Sequence, residues 1–160
     1  MTLNVLLIVI AIPLVVVAGI LAATEAAISR VRASRAQELL DQQRHGAASL
    51  LVVAKDPARY VNVLLFLRIS FMTTATVLVV NVFVRQWGLT WWSVLGAAVL
   101  MATVNYVMVG VAPRTVGRQN PVRVGLATAG FARGLARLLS PLTSALILLG
   151  NAIKIGKAHV

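Results

Sequence analysis

The sequence of 160 residues contains no cysteine and only four acidic residues, and both features limit the kinds of catalytic or metal site that it can form. Without cysteine it can form neither a disulfide nor a thiolate metal site. Its two histidines, His45 and His159, are single and lie in or beside polar segments, so we expect neither to bind a metal. Nucleophile–base pairings, phosphate-binding loops and carboxylate pairs within an apolar run are missing too. The sequence therefore predicts no enzyme, no cofactor and no metal site.

Apolar residues are abundant, at 59% of the chain with a mean hydropathy of +0.90. They form three long runs, Leu3–Ala23, Tyr60–Val84 and Leu89–Ala112. Each run can cross a bilayer, because about 20 apolar residues in a helix cover roughly 30 Å of hydrocarbon. The first run is not typical of a signal peptide, since no basic residue precedes it and it is longer than an ordinary apolar core. We predict a one-domain, all-α membrane protein with three transmembrane helices over about residues 3–29, 57–85 and 89–113.

The distribution of basic residues predicts the orientation. The N-terminus has none and the turn between the second and third runs has only Arg85. The others outside the runs lie between the first and second runs or beyond the third: Arg30, Arg32, Arg35, Arg44, Lys55, Arg59, Arg114, Arg118, Arg123, Arg133, Arg137, Lys154 and Lys157. The positive-inside rule then puts the N-terminus outside and the C-terminus in the cytoplasm, with Trp87, Trp91 and Trp92 as an outer aromatic belt. We expect a multi-pass plasma-membrane protein whose arginines meet anionic lipid of the cytoplasmic leaflet rather than nucleic acid.

One charged residue lies inside an apolar run. Arg68 is nine positions past Arg59, and so about 13 Å deep at about 1.5 Å per helical residue. An unpaired charge near the bilayer centre costs at least about 2.5–3.5 kcal/mol. Glu25 is the only acidic residue in the other two predicted spans. We therefore predict an intramembrane ion pair between Glu25 and Arg68, although Glu25 could also serve as a proton or cation ligand.

The predicted cytoplasmic segments have helix signals. Ser34 and Gln37 stand at capping-box spacing, and Gly46 can end the helix that they open. The apolar segment Ala47–Ala54 is too short to span, so it is either re-entrant or packed against the other helices. We predict cytoplasmic juxtamembrane helices over about residues 34–55 and 121–156.

Three prolines follow residues that favour helix caps, in Asp56-Pro57, Asn120-Pro121 and Ser140-Pro141. On the helix that begins at Pro121, three arginines fall on one face and should lie at the lipid headgroups: Arg123, Arg133 and Arg137. Gly130 and Gly134 are four residues apart on the same helix. That spacing favours ordinary helix packing, with a dimer contact as the alternative.

Three stretches follow one another along the chain: Leu21–Val31 with the helix Arg35–Leu39 after it, Lys55–Tyr60, and Val111–Arg114 with Arg118–Val124. Together they resemble the transmembrane domain of the CNNM/CorC (hemolysin-C-like) magnesium transporters. The first resembles the end of that family's first span, the second its aspartate-proline entry into the second span, and the third its third-span exit. The resemblance covers nearly the whole chain. It implies a dimeric three-span module with a cytoplasmic juxtamembrane belt.

The same resemblance implies a magnesium site built from a first-span serine, a second-span asparagine and a third-span glutamate. The matching positions here are Ala22, Arg68 and Gly110, and the motif lysine is Arg114. None of the three offers a side-chain oxygen, whereas magnesium takes about six oxygen ligands. We therefore predict that the family's ion site is lost. Gly110, Pro113 and Arg114 mark a point where the third span is expected to loosen or kink.

Two functions remain open. The chain is either the membrane domain of a CNNM/CorC-like protein that moves or regulates a divalent cation by a modified route, or a transport-inactive paralogue that anchors a dimer or binds another membrane protein. Oxygen donors such as Thr73, Thr103 and Asn105 could rebuild a site, but hydrogen bonding between helices is the commoner use of such residues. Fuller family members carry CBS domains after this module, and none is present here. We expect the chain to be the membrane part of a longer protein rather than a natural truncation.

Overall fold

A computed structural model of the protein describes residues 2–139, and everything in this part of the chain is helix, turn or loop. This confirms the predicted all-α class. The elements in chain order are α1 Thr2–Ile28, α2 Ala33–Asp41, α3 Ala47–Lys55, α4 Pro57–Trp87, α5 Trp91–Asn105, a π-helical segment Tyr106–Val111, α6 Ala112–Gln119 and α7 Pro121–Leu138. The predicted Ser140-Pro141 cap, His159 and the remainder of the helix predicted to reach residue 156 lie outside the described residues.

Within residues 2–139, three helices are long and apolar enough to cross a membrane. They are α1, α4 and a continuous helical stretch, Trp91–Gln119, that combines α5, the π-helical segment and α6. The helical stretch that contains the third predicted span continues to Gln119, beyond the predicted limit near residue 113. The reason is that the backbone stays helical through the polar residues after Ala112, where the apolar run ends. The orientation of the three spans remains a prediction.

Two apolar clusters hold the bundle together. The larger joins α1, α2, α3, α4 and α7 at the end of the bundle where α1 ends and α4 begins, which we call the basic end; Leu21, Ile28, Leu50 and Leu64 are fully buried there. The smaller cluster lies farther along the spans and includes Ala22, Met72, Met101 and Val109. Aliphatic side chains elsewhere on the spans are exposed, as expected for helices whose solvent is lipid.

The segment predicted to be helical over about residues 34–55 forms two helices, α2 and α3. A turn at residues 42–46 separates them. Ser34 is not the cap: α2 begins at Ala33, and Arg32 precedes it without a side-chain cap hydrogen bond. Gly46 does not end a helix but precedes α3, with a left-handed φ of 82° that favours glycine. A Cβ at Gly46 would also collide with the carbonyl oxygen of Leu126, so α3 lies packed against α7 and is not isolated in the membrane.

The other expected caps are correct in position only. Pro57 and Pro121 stand at the starts of α4 and α7, but Asp56 and Asn120 form no side-chain cap hydrogen bond.

On α7 the buried side is made of small residues, Gly125, Ala129, Ala132 and Ala136. Arg123 and Arg137 are exposed and Arg133 is half-buried, which leaves their contact with lipid a prediction.

Two glycines allow the third span to approach α1 closely. A Cβ at Gly19 would lie 2.8 Å from the carbonyl oxygen of Met108 and 3.3 Å from Cγ of Pro113. A Cβ at Gly117 would collide with the carbonyl oxygen of Ala23. Because both main obstacles are backbone atoms, neither can move aside as a flexible side chain can. The two contacts involve residues 19 and 23 of α1 and lie within residues 108–117 of the third span.

We expect Gly117→Ala to destabilise the protein, by about 1–3 kcal/mol as overpacking in a tight contact does. Gly134→Ala is the matched control, because Gly134 is also helical and a Cβ there meets no atom within 4 Å. The control should be neutral or stabilising by up to about 1 kcal/mol, since alanine favours helix over glycine. Thermal unfolding in detergent measures both variants. Equal effects of the two substitutions would contradict the close approach.

The absence of cysteine makes the orientation directly testable. Leu89→Cys lies in the turn between α4 and α5, and Gln42→Cys lies in the turn between α2 and α3; both positions are exposed. We expect a membrane-impermeant maleimide to label Leu89→Cys in intact spheroplasts and Gln42→Cys only after permeabilisation. The reverse pattern would invert the predicted orientation.

Candidate functional site

Three charged side chains from three spans meet inside the bundle. Arg68 Nη1 of α4 lies 3.3 Å from Glu25 Oε2 of α1, and Arg114 Nη2 of α6 lies 3.7 Å from Glu25 Oε1. The side chains are 14%, 17% and 36% exposed for Arg68, Glu25 and Arg114. We call these three residues the charge cluster. The structure thus brings together the two residues predicted to pair, and it adds Arg114.

The elements around the charge cluster determine its geometry. Glu25 lies in the last turn of α1, on a segment held by buried Thr24, whose hydroxyl donates to the carbonyl oxygen of Ile20. In a helix the side chains lean toward the N-terminus. Arg68 therefore leans toward the basic end, where α4 begins, and Arg114 leans away from it, because the third span runs in the opposite direction. The two guanidinium groups contact different oxygens of Glu25.

The charge cluster is not electrically neutral. Two guanidinium groups and one carboxylate leave one net positive charge, because Glu25 is the single acidic residue of the three spans. Glu25 also lacks a hydrogen bond. Its Oε2 atom is buried and accepts none from the described residues. Its 3.3 Å contact with Arg68 is therefore an ion pair without hydrogen-bond alignment.

The charge cluster borders a groove of about 760 Å³ between α4 and the third span. Arg68, Gly110 and Arg114 are among the residues that line it. The rest of the lining is mostly apolar, with three hydroxyl groups and one amide among it: Ile69, Met72, Thr73, Thr76, Val77, Ala98, Met101, Ala102, Asn105, Tyr106 and Val109.

The three positions that match the family's ion ligands converge on this region. Arg68 and Gly110 line the groove, and Ala22 is fully buried in the cluster whose members Met72 and Val109 also line it. None carries a side-chain oxygen. Among residues 2–139, no three histidine, cysteine or acidic side chains gather as they would around a metal ion.

The predicted break in the third span has a specific form. Residues Tyr106–Val111 wind as a π-helix, and Pro113 follows at the start of α6. Proline has no N–H to continue the ladder of hydrogen bonds and crowds the preceding turn, and π-helical turns relieve such crowding. Arg114 stands at this break as predicted, and its contact with Glu25 was not predicted. The Gly117 contact that brings this turn close to α1 is visible only in the structure.

If Glu25 neutralises Arg68, the two residues must be energetically coupled. We expect Glu25→Ala alone to lower the free energy of unfolding by about 3–5 kcal/mol, because it leaves two arginines without an acidic partner. After Arg68→Leu, the same substitution should cost much less. A double-mutant cycle measured by thermal unfolding in detergent gives the coupling.

The exposed pair Arg35 and Glu38 on α2 is the control for this cycle, since both side chains are more than half exposed. Its coupling should be no more than about 1 kcal/mol, as for other surface pairs. Additive effects of Glu25→Ala and Arg68→Leu would show that the pair does not stabilise the bundle.

Comparison with known proteins agrees with this architecture. The family described as the cyclin M (CNNM) transmembrane N-terminal domain matches residues 9–159. The UPF0053 protein Rv2366c of Mycobacterium tuberculosis and the UPF0053 protein Mb2387c of Mycobacterium bovis are each 46% identical to this chain over 139 residues. The match covers 87% of this chain and 32% of each relative, so the chain spans about a third of their length. With three apolar spans and a match over most of its length, the chain belongs to the cyclin M (CNNM) transmembrane domain family.

Proposed function

We propose that this CNNM-type membrane domain does not conduct magnesium and acts as a membrane anchor, either as a homodimer or bound to another membrane protein. The observation that carries the proposal is the pairing of both Glu25 oxygens with arginines. Glu25 is the single carboxylate that the three spans could offer a cation. Because that carboxylate is already paired, a cation that entered the spans would meet guanidinium groups instead of oxygen ligands.

The electrostatics oppose a divalent ion at this place. Two unit charges at about 4 Å repel by about 4 kcal/mol when the effective dielectric is near 20, and magnesium carries two charges. Magnesium also keeps near-octahedral oxygen coordination and loses its water reluctantly. Neither Ala22 nor Gly110 can replace that water with a side-chain oxygen. Binding would therefore require the charge cluster to open first.

Cation transport by a modified route is the second candidate. The groove supports it, because Thr73 and Asn105 are exposed oxygen donors on its wall. Such a route would pass along the uncharged part of the groove rather than through the charge cluster. An ion on that path would have neutral ligands only.

The wild-type protein should show no magnesium-dependent thermal shift, because a ligand stabilises a fold only in proportion to its binding. In proteoliposomes it should also show no magnesium flux above that of empty vesicles. The variant Ala22→Ser/Arg68→Asn/Gly110→Glu restores the family's oxygen set, and a Cβ at Gly110 meets its nearest atom at an ordinary 3.5 Å. We expect this triple variant to gain magnesium-dependent stabilisation.

Arg118→Asn is the matched control, since it removes an exposed arginine on the same helix as Arg114 and outside the groove. It should behave as the wild type. Saturable protection of the wild type by magnesium that is lost in Thr73→Val or Asn105→Leu would overturn the proposal and favour the second candidate.

A further inference from the structure

The net positive charge of the charge cluster needs an anion that the described residues do not supply. Glu25 can neutralise one guanidinium group, and it already contacts both. The other acidic residues of the chain, Glu38, Asp41 and Asp56, lie on or beside the juxtamembrane helices. A charge without a partner is costly within a membrane. Among residues 2–139, the remaining positive charge has no further acidic partner.

A second copy of the chain is a poor source of that anion. Its spans would contribute the same single carboxylate, Glu25, which is buried and already paired. Its other carboxylates belong to the segments outside the spans. Two copies packed along their spans would bring a second net positive charge near the first, and neither copy would supply the anion. The surrounding lipid, whose anionic headgroups lie where Arg114 reaches the end of its span, is the better source of that anion.

The groove provides a place for such a lipid. On α4 its wall runs from Arg68 to Val77, about 14 Å at about 1.5 Å per residue. Ile69 and Val77 are 55% and 56% exposed, so this wall is open to the surroundings along its length. Met72 and Met101 form its apolar floor, and methionine adapts readily to an irregular apolar partner. One end of the groove is cationic and the remainder is mainly apolar.

We propose that this groove binds an anionic membrane lipid. The oxyanion headgroup pairs with the guanidinium groups of Arg68 and Arg114, and an acyl chain lies along the apolar floor toward Val77. Arg114, the more exposed of the two arginines, makes the first contact with the headgroup. Guanidinium groups suit this contact because they bind carboxylate and phosphate oxygens in pairs. The site does not depend on whether the protein transports a cation.

The test uses the full chain in a mild uncharged detergent. Thermal unfolding is followed during titration with phosphatidylglycerol or with phosphatidylcholine of the same acyl chains. Phosphatidylglycerol should raise the midpoint saturably and phosphatidylcholine should not. In Arg114→Gln, Glu25 and Arg68 balance each other, so the protein should fold and its apparent Kd for phosphatidylglycerol should weaken by about tenfold or more. Arg118→Gln, on the same helix and outside the groove, should retain wild-type affinity.

A second pair of variants tests the acyl chain. Ala102→Phe fills the groove, whereas Ala112→Phe places the same ring at an exposed position outside it. The first should abolish saturable stabilisation and the second should not. Retention of wild-type affinity in both Arg114→Gln and Ala102→Phe would overturn the proposal. Equal stabilisation by glycerol 3-phosphate, which has the headgroup oxyanion and no chain, would overturn the assignment to a lipid and identify a free anion as the ligand.

Discussion

The structure depends on one carboxylate that faces two guanidinium groups in an apolar environment. Glu25 contacts Arg68 from the second span and Arg114 from the third, so all three spans share one electrostatic contact. In water such a contact would contribute little, but in lipid each ion left without a partner is costly. The positions of the spans relative to one another are thus constrained by charge as well as by packing. The glycine contacts of α1 with the third span hold the same geometry from both sides.

The sequence predicted much of this arrangement because lipid imposes simple rules. Apolar length defined the spans, and the rarity of acidic residues left Glu25 as the natural partner of Arg68. Arg114 was missed for a physical reason. Arg114 follows the apolar run and a proline, which together indicate the end of a span. In the structure the π-helical segment and α6 continue the helix, and Arg114 contacts Glu25 from there.

The juxtamembrane helices were harder to predict. Ser34 and Gln37 have capping-box spacing, yet α2 begins one residue earlier without a side-chain cap. The turn before α3 depends on a tertiary contact, since Gly46 approaches the backbone of Leu126, eighty positions later in the chain. Local patterns contain no information about such a partner. The groove was unpredictable for the same reason, because its walls come from α4 and the third span.

The contact between Gly46 and Leu126 has a mechanical consequence. It fastens α3 to α7, and one residue, Asp56, separates α3 from the start of α4. The start of α4, the helix that contains Arg68, is therefore connected to α7 through α3. The third span is connected to α7 just as closely, because Asn120 alone separates α6 from α7, so both spans that supply an arginine to Glu25 have α7 as a common neighbour.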